Sequence, residues 1–253
     1  MKKLIFCPLL FSLTFKFFNA AGQNFGGSSN SFVLGIKGGI SIPSLGSGGG
    51  NQLSSGYKSG FGTDAALFAE FKFGDIFSVM PMIEYSSQGG KKEGIQAFPA
   101  PAPFSAVQPY FYANFSSTVK LGYIMLPILV KISINLNSSF SVYGDGGPFV
   151  GYLINARQSS TGSSPVYSDS SGQNVITQAG TQSFANDMDI KGQLNKVNFG
   201  LEGNIGLAYK LDQNYAFIEG GGNYGLKNIQ NDSANGKNYT GAVTVALGYI
   251  YSF

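Results

Sequence analysis

Histidine and tryptophan are absent from this chain, and cysteine occurs once, at Cys7. Without histidine there is no Ser-His or Cys-His nucleophile pair and no imidazole ligand for a metal. A single thiol closes no intramolecular disulfide and forms no Cys-x-x-Cys site. Charge is scarce too: Asp, Glu, Lys and Arg make up 11% of the residues, against about 25% in an average soluble domain. No stretch suits a membrane helix, which needs about 20 consecutive apolar residues. Gly94 to Val119 is uncharged and long enough, but Pro99, Pro101, Pro103 and Pro109 break it among polar residues.

Glycine and aromatics are plentiful: 36 glycines, with 14% Phe and Tyr. The chain opens MKKLIFCPLLFSLTFKFFNAAGQ. Lys2 and Lys3 precede an uncharged apolar run, Leu4 to Phe15, and small residues follow at Asn19 to Gly22. That layout predicts a secretory signal peptide over 1–22, removed near Gly22, with Lys16 a departure from the pattern. A short segment, 23–31, then leads into one domain over 32–253. Loss of Lys2, Lys3, Lys16 and Cys7 leaves thirteen bases, thirteen acids and no thiol. The net charge of +3 on the full chain is therefore no sign of a nucleic-acid partner. No cofactor is expected.

The final stretch, TGAVTVALGYIYSF, alternates. Val243, Val245, Leu247, Tyr249, Tyr251 and Phe253 share one parity; small and polar residues share the other, apart from Ile250. A period of two is a strand with two unlike faces. Seven further segments alternate: Phe32–Ile42, Gly62–Phe73, Ile76–Ser87, Thr118–Ile134, Phe140–Ile154, Val197–Leu211 and Tyr215–Leu226. About ten tilted residues cross a bilayer as a strand, so each is long enough.

The connections alternate in length. Gly74-Asp75, Asn135–Ser139 and Asp212–Asn214 are tight polar turns; Pro43–Phe61, Gln88–Ser117, Asn155–Lys196 and Lys227–Tyr239 are long. Short turns on one side and long loops on the other describe an outer-membrane barrel, with its turns in the periplasm. The predicted fold is an all-β, eight-stranded, antiparallel up-and-down transmembrane β-barrel.

Charge follows parity. Lys37, Asp64, Glu70, Lys72, Glu84, Lys131, Asp145, Glu202, Lys210 and Glu219 all lie opposite the apolar series. A lysine or arginine facing lipid at mid-bilayer costs roughly 2–4 kcal/mol, so this parity is expected to face inward as a polar, charge-paired network. A soluble barrel would reverse the faces. The export signal, the sorted loops and the aromatic strand ends favour the membrane version. Tyr215 and Phe217 fall on the interior parity, and Pro81, Pro127 and Pro148 lie within strands, where broken ladders are expected. The loop from Gln88 to Ser117 carries Phe98, Phe104, Tyr110, Phe111 and Tyr112, either a contact surface or rings packed on the barrel rim. The loop from Asn155 to Lys196 is Ser-, Thr- and Gly-rich, the composition of a mobile connection, with part of it expected to extend the strand hairpin above the membrane.

Several segments occur in a recognisable order: GIKGGISI (35–42), FSVMPMIEYSSQGGKK (77–92), IMLPILVKI (124–132), FSVYGDGGPFVGYLI (140–154), FGLEGNIGLAYKL (199–211) and FIEGGGNYGLKNI (217–229). Together with the Phe-terminated last strand they resemble the PorT-like outer membrane β-barrel family, common in Bacteroidetes. The resemblance implies an eight-stranded outer-membrane barrel, with Tyr249, Tyr251 and Phe253 as the terminal signal read by the barrel-assembly machinery. It departs from the family at Met82 and Met125, where such sequences carry acidic residues; Glu84 is the candidate replacement.

An eight-stranded barrel is just wide enough for side chains to fill. The first functional expectation is therefore a non-enzymatic barrel in outer-membrane lipid, structural or acting through its loops on envelope or secretion-apparatus proteins. The second is a narrow pore, with Gly147, Gly200 and Gly206 leaving space. The third is an outer-membrane enzyme using Glu70, Glu84, Glu202 or Glu219 as acid or base, a class weakened by the lack of histidine.

Overall fold

A computed structural model of the chain describes residues 32–253. The segment predicted as a signal peptide and residues 23–31 lie outside the described residues. Eight long strands are β1 Phe32–Gly48, β2 Gly62–Phe73, β3 Phe77–Lys92, β4 Ser116–Asn135, β5 Phe140–Thr161, β6 Val197–Leu211, β7 Asn214–Gly225 and β8 Lys237–Ser252. Each pairs antiparallel with the next, and β8 returns to β1 from Val33↔Ser252 to Gly48↔Lys237. The ring is closed, so no strand edge is left to solvent or lipid.

The turns form as their residues dictate. Gly74 adopts φ +91 between β2 and β3, and Asp212 adopts φ 55 between β6 and β7, a left-handed conformation that Asp tolerates. Between β4 and β5 the Asn137 Oδ1 accepts from the backbone N–H groups of Ser139 and Phe140.

The parity reading holds around the ring. Leu34, Ile36, Leu67, Ile83, Leu126, Ile128, Val150, Leu201, Ile205, Ile218, Val243 and Leu247 are exposed on the outer wall. Tyr85, Tyr152 and Tyr224 stand exposed towards the long-loop end of their strands, and Phe77, Phe140, Tyr209, Tyr249, Tyr251 and Phe253 towards the short-turn end. Two such aromatic belts are what the two membrane interfaces favour.

The strand prolines interrupt the ladders. Pairing between β2 and β3 jumps from Phe68↔Met82 to Phe71↔Val79, passing over Pro81. Between β3 and β4 it jumps from Pro81↔Ile128 to Glu84↔Met125, passing over Pro127. Between β4 and β5 it jumps from Pro127↔Phe149 to Val130↔Gly146, passing over Pro148. Each missing donor thus falls at a local break, and the ring stays closed around it.

Five strands run further towards the long loops than the alternation indicates. β1 continues to Gly48, β3 to Lys92 and β5 to Thr161, while β4 starts at Ser116 and β8 at Lys237. The 22 residues of β5 extend about 70 Å along the strand, against an apolar band about 25 Å tall. The barrel therefore continues beyond the bilayer.

Ile205 is 71% exposed and lies between the belt residue Tyr209 and Leu201, the partner of Tyr224. Ile205→Lys should cost about 2–4 kcal/mol at the bilayer midplane, while Ile205→Leu should cost little. Urea unfolding in liposomes, read by the heat-modifiable gel shift, checks both.

Candidate functional site

Two places collect functional side chains: the barrel interior and the assembly of long connections at its mouth. The interior is layered. Nearest the short turns, Glu70 on β2 pairs with Lys131 on β4 at 3.0 Å and accepts from Ser78 Oγ on β3. Above lies an apolar layer of Phe68, Met80, Met82, Leu129, Tyr143 and Phe217. Phe217 meets Phe68 and Tyr143 edge-on, with centroids 6.0 and 6.2 Å apart. The Tyr143 ring takes the Lys131 ammonium on its face at 4.3 Å, and its hydroxyl donates to Glu219 at 2.7 Å. Tyr143 thereby joins the lower ion pair to the charged layer above.

Lys37 on β1 is the centre of that upper layer. Its ammonium lies 3.0 Å from Glu219 on β7, 3.5 Å from Glu202 on β6 and 3.6 Å from Glu84 on β3. Asn204 donates to Asp145 and to Glu202. Gln88 donates to Ser86 and to Asn223. A second apolar layer, including Leu121, Tyr123, Met125, Phe149 and Leu153, closes the barrel above.

Of the ten residues predicted to form the interior network, Lys37, Asp64, Glu70, Glu84, Lys131, Glu202 and Glu219 are buried, and Asp145 is half-buried. Lys72 is half-buried, its ammonium 5.7 Å from the Tyr215 ring. Lys210 is exposed next to the turn into β7 and takes no part in the network. Its inward parity persists, but one residue from the strand end that parity opens onto the short-turn rim of the barrel. The interior is also less evenly paired than expected. One ammonium serves Glu84, Glu202 and Glu219, and Asp64 and Asp145 have no ion-pair partner among the described residues. Among the described residues no cluster of three or more acids is arranged to hold a metal ion.

Met82 and Met125 are buried in the lower and upper apolar layers, and Glu84 pairs directly opposite Met125. The glycines do not leave a channel. A β-carbon at Gly206 would overlap the Tyr143 ring, one at Gly200 the Phe149 ring, and one at Gly147 the Ile128 carbonyl. Between Lys37 and Lys131 a cavity of about 10 Å³ remains, room for about one water. Tyr143, Asn204, Ser78, Gln88 and Asn223 complete the network, and they too sit on the charged parity. Reading only residues charged at neutral pH misses them; reading every polar residue of that parity finds them.

At the mouth the connections carry their own structure. Ile95–Pro99 pairs with Tyr110–Asn114, Ser163–Pro165 with Thr181–Ser183, and Asn186–Asp189 adds to β5. The loop rings pack on one another and on the neighbouring long connection. Phe98 meets Phe184 at 5.3 Å, Phe115 stacks on Phe184 at 4.6 Å, and Phe104 meets Phe111 at 6.0 Å. Phe111 is buried, Phe98, Tyr110 and Tyr112 are half-buried, and Phe104 is exposed beside the exposed Val107. Asn238 is fully buried, donating to the Ser54 and Gly46 carbonyls and accepting from Gln230, and so ties three segments together.

Lys37→Met would leave three buried carboxylates without their shared cation. It should lower unfolding stability by about 3–5 kcal/mol, the cost of breaking a buried pair from one side. Chemical unfolding of the refolded barrel in liposomes measures it.

The chain has a distant likeness to several solved outer-membrane proteins. Ail, the attachment invasion locus protein of Yersinia pestis, is 13% identical with a TM-score of 0.38, covering 88% of this chain and 100% of its own. Neisserial surface protein A is 13% identical with a TM-score of 0.41, covering 90% of this chain and 100% of its own. The translocator domain of autotransporter NalP from Neisseria meningitidis is 11% identical with a TM-score of 0.27, covering 97% and 96%. No curated protein matches the chain. A family model described as an outer membrane protein beta-barrel domain matches residues 21–231. That match spans seven of the eight strands and every tight turn of the closed ring. The chain belongs to the outer membrane protein beta-barrel domain family and resides in the outer membrane.

Proposed function

We propose that this barrel is non-enzymatic and non-conducting, and that it works by contact, its extracellular connections binding an envelope or secretion-apparatus protein. The filled interior carries this reading. Two apolar layers and a charged layer cross the lumen, and the glycine positions are occupied by neighbouring rings and backbone. The candidate acid and base carboxylates support the same reading. Glu70, Glu84, Glu202 and Glu219 are buried against lysines within the wall rather than facing the mouth. What remains for a partner is the loop assembly, with Phe104 and Val107 on its outside. The ordered motif set that resembles PorT-like barrels supports a partner in the secretion apparatus, and Tyr249, Tyr251 and Phe253 supply the terminal aromatic pattern for the barrel-assembly machinery.

Two measurements test this. Purified barrel in planar bilayers should show no steady ionic conductance; an open ohmic channel would favour the pore instead. In-cell cross-linking of the tagged protein should capture a defined envelope protein, and Phe104→Ser with Val107→Ser should reduce that product several-fold while the amount of folded barrel stays constant. Capture unaffected by the double substitution would move the contact elsewhere on the loops.

A further inference from the structure

The mouth holds a cavity of about 290 Å³ whose lining draws on all four long connections. Its walls are about half polar, with Gln96, Gln158, Gln193 and Gln230 among them, and Leu45, Leu194 and Ile229 from the upper apolar layer give it an apolar patch. Lys92, the last residue of β3, is the single charged side chain among the described lining residues. It is 7% exposed. Its ammonium donates to the Leu53 carbonyl at 2.6 Å and lies 4.4 Å from the Tyr57 ring.

No carboxylate among the described residues pairs with it. The neighbouring Glu93 faces outward and takes Lys58 and Lys91 instead, at 3.5 and 3.3 Å. Nor can Tyr57 supply a negative charge, because burial pushes its hydroxyl up to about 12. A buried ammonium without a counter-charge is costly unless something pairs with it. Burial lowers Lys92 to about 8, so the charged form still predominates at neutral pH. The cavity volume equals about ten water volumes, close to the lower size of small-molecule pockets.

We propose that this cavity is a binding site for an amphipathic carboxylate of about ten non-hydrogen atoms, its head paired with the Lys92 ammonium and its tail on the apolar patch of Leu45, Leu194 and Ile229. Octanoate has that size and chemistry. The site stands apart from the loop surface around Phe104 and Val107, and it does not depend on a protein partner.

Isothermal titration of octanoate into the wild-type barrel in phosphatidylcholine nanodiscs tests it, with empty nanodiscs subtracted for partition into lipid. Saturable heat is expected with octanoate and none with octyltrimethylammonium, which has a closely similar alkyl tail and the opposite charge. Lys92→Gln should weaken octanoate binding at least tenfold, and Lys92→Arg should retain it. Equal heats for the two amphiphiles, no saturable heat with octanoate, or an unchanged titration in a folded Lys92→Gln barrel would each overturn the proposal. Should Lys92→Gln fail to fold, the comparison of the two amphiphiles on wild-type protein still decides.

Discussion

The constraint behind this structure is that every backbone N–H and C=O in the hydrocarbon must find a partner within the protein. A sheet meets it only by closing, and here closure depends on one seam, the pairing of β1 with β8. That seam joins Val33 to Ser252, across almost the whole described chain. Such non-local pairing is slow to form unaided, since loop-closure entropy is lost before the contacts return it. The three prolines show how much interruption the ring tolerates. Each removes a donor, and each lies where a ladder skips two residues. The breaks fall on successive seams, so neighbouring pairs hold the strands in place at every level.

Closure at eight strands then sets the lumen. It is narrow enough that side chains must fill it, and the filling is graded by size and charge. Tyr143 and Phe217 lie where facing positions are glycine. The two lysines sit in different layers and are linked through Tyr143, which receives one ammonium on its ring face and donates its hydroxyl to the carboxylate that holds the other. A polar network in a low-dielectric interior is costly wherever a member lacks a partner. Here the outer wall must be apolar, and the period of two leaves the polar residues of each strand only one direction. The interior therefore receives them as a consequence of the membrane.

That same logic explains what could be read in advance. Apolar alternation marks the strands wherever one face meets lipid, so the transmembrane part of all eight is legible, as are the tight turns and most of the buried charges. Beyond the bilayer both faces become polar, and Gly46 to Gly48 or Asn155 to Thr161 carry no alternation to announce a strand. Lys210 shows a second limit. Parity fixes direction but not depth, so a residue near a strand end can share the inward face and still be exposed. The roles of Tyr215 and Phe217 needed the third dimension, because an inward aromatic on an otherwise polar parity makes sense only once an apolar layer is found across the lumen. The loop rings were legible as a cluster, but how Phe98 and Phe115 pack depends on Phe184, which comes from a different connection.

The mouth follows from the plug beneath it. With the lumen filled, whatever enters from the loop side stops at the upper apolar layer, so a small molecule seated at Lys92 would be held rather than passed on. Its neighbours would be the four connections themselves, because Leu53, Phe98, Leu194 and Gln230 each reach the cavity from a different one. Occupancy would supply the counter-charge that Lys92 lacks and fill space between segments otherwise tied by a few side chains such as Asn238. The wall below is fixed by its ladders, so any change in free energy on binding must be taken up by the connections. In such a barrel the rigid part sets the geometry, and the part able to respond to a ligand is the part that faces outward.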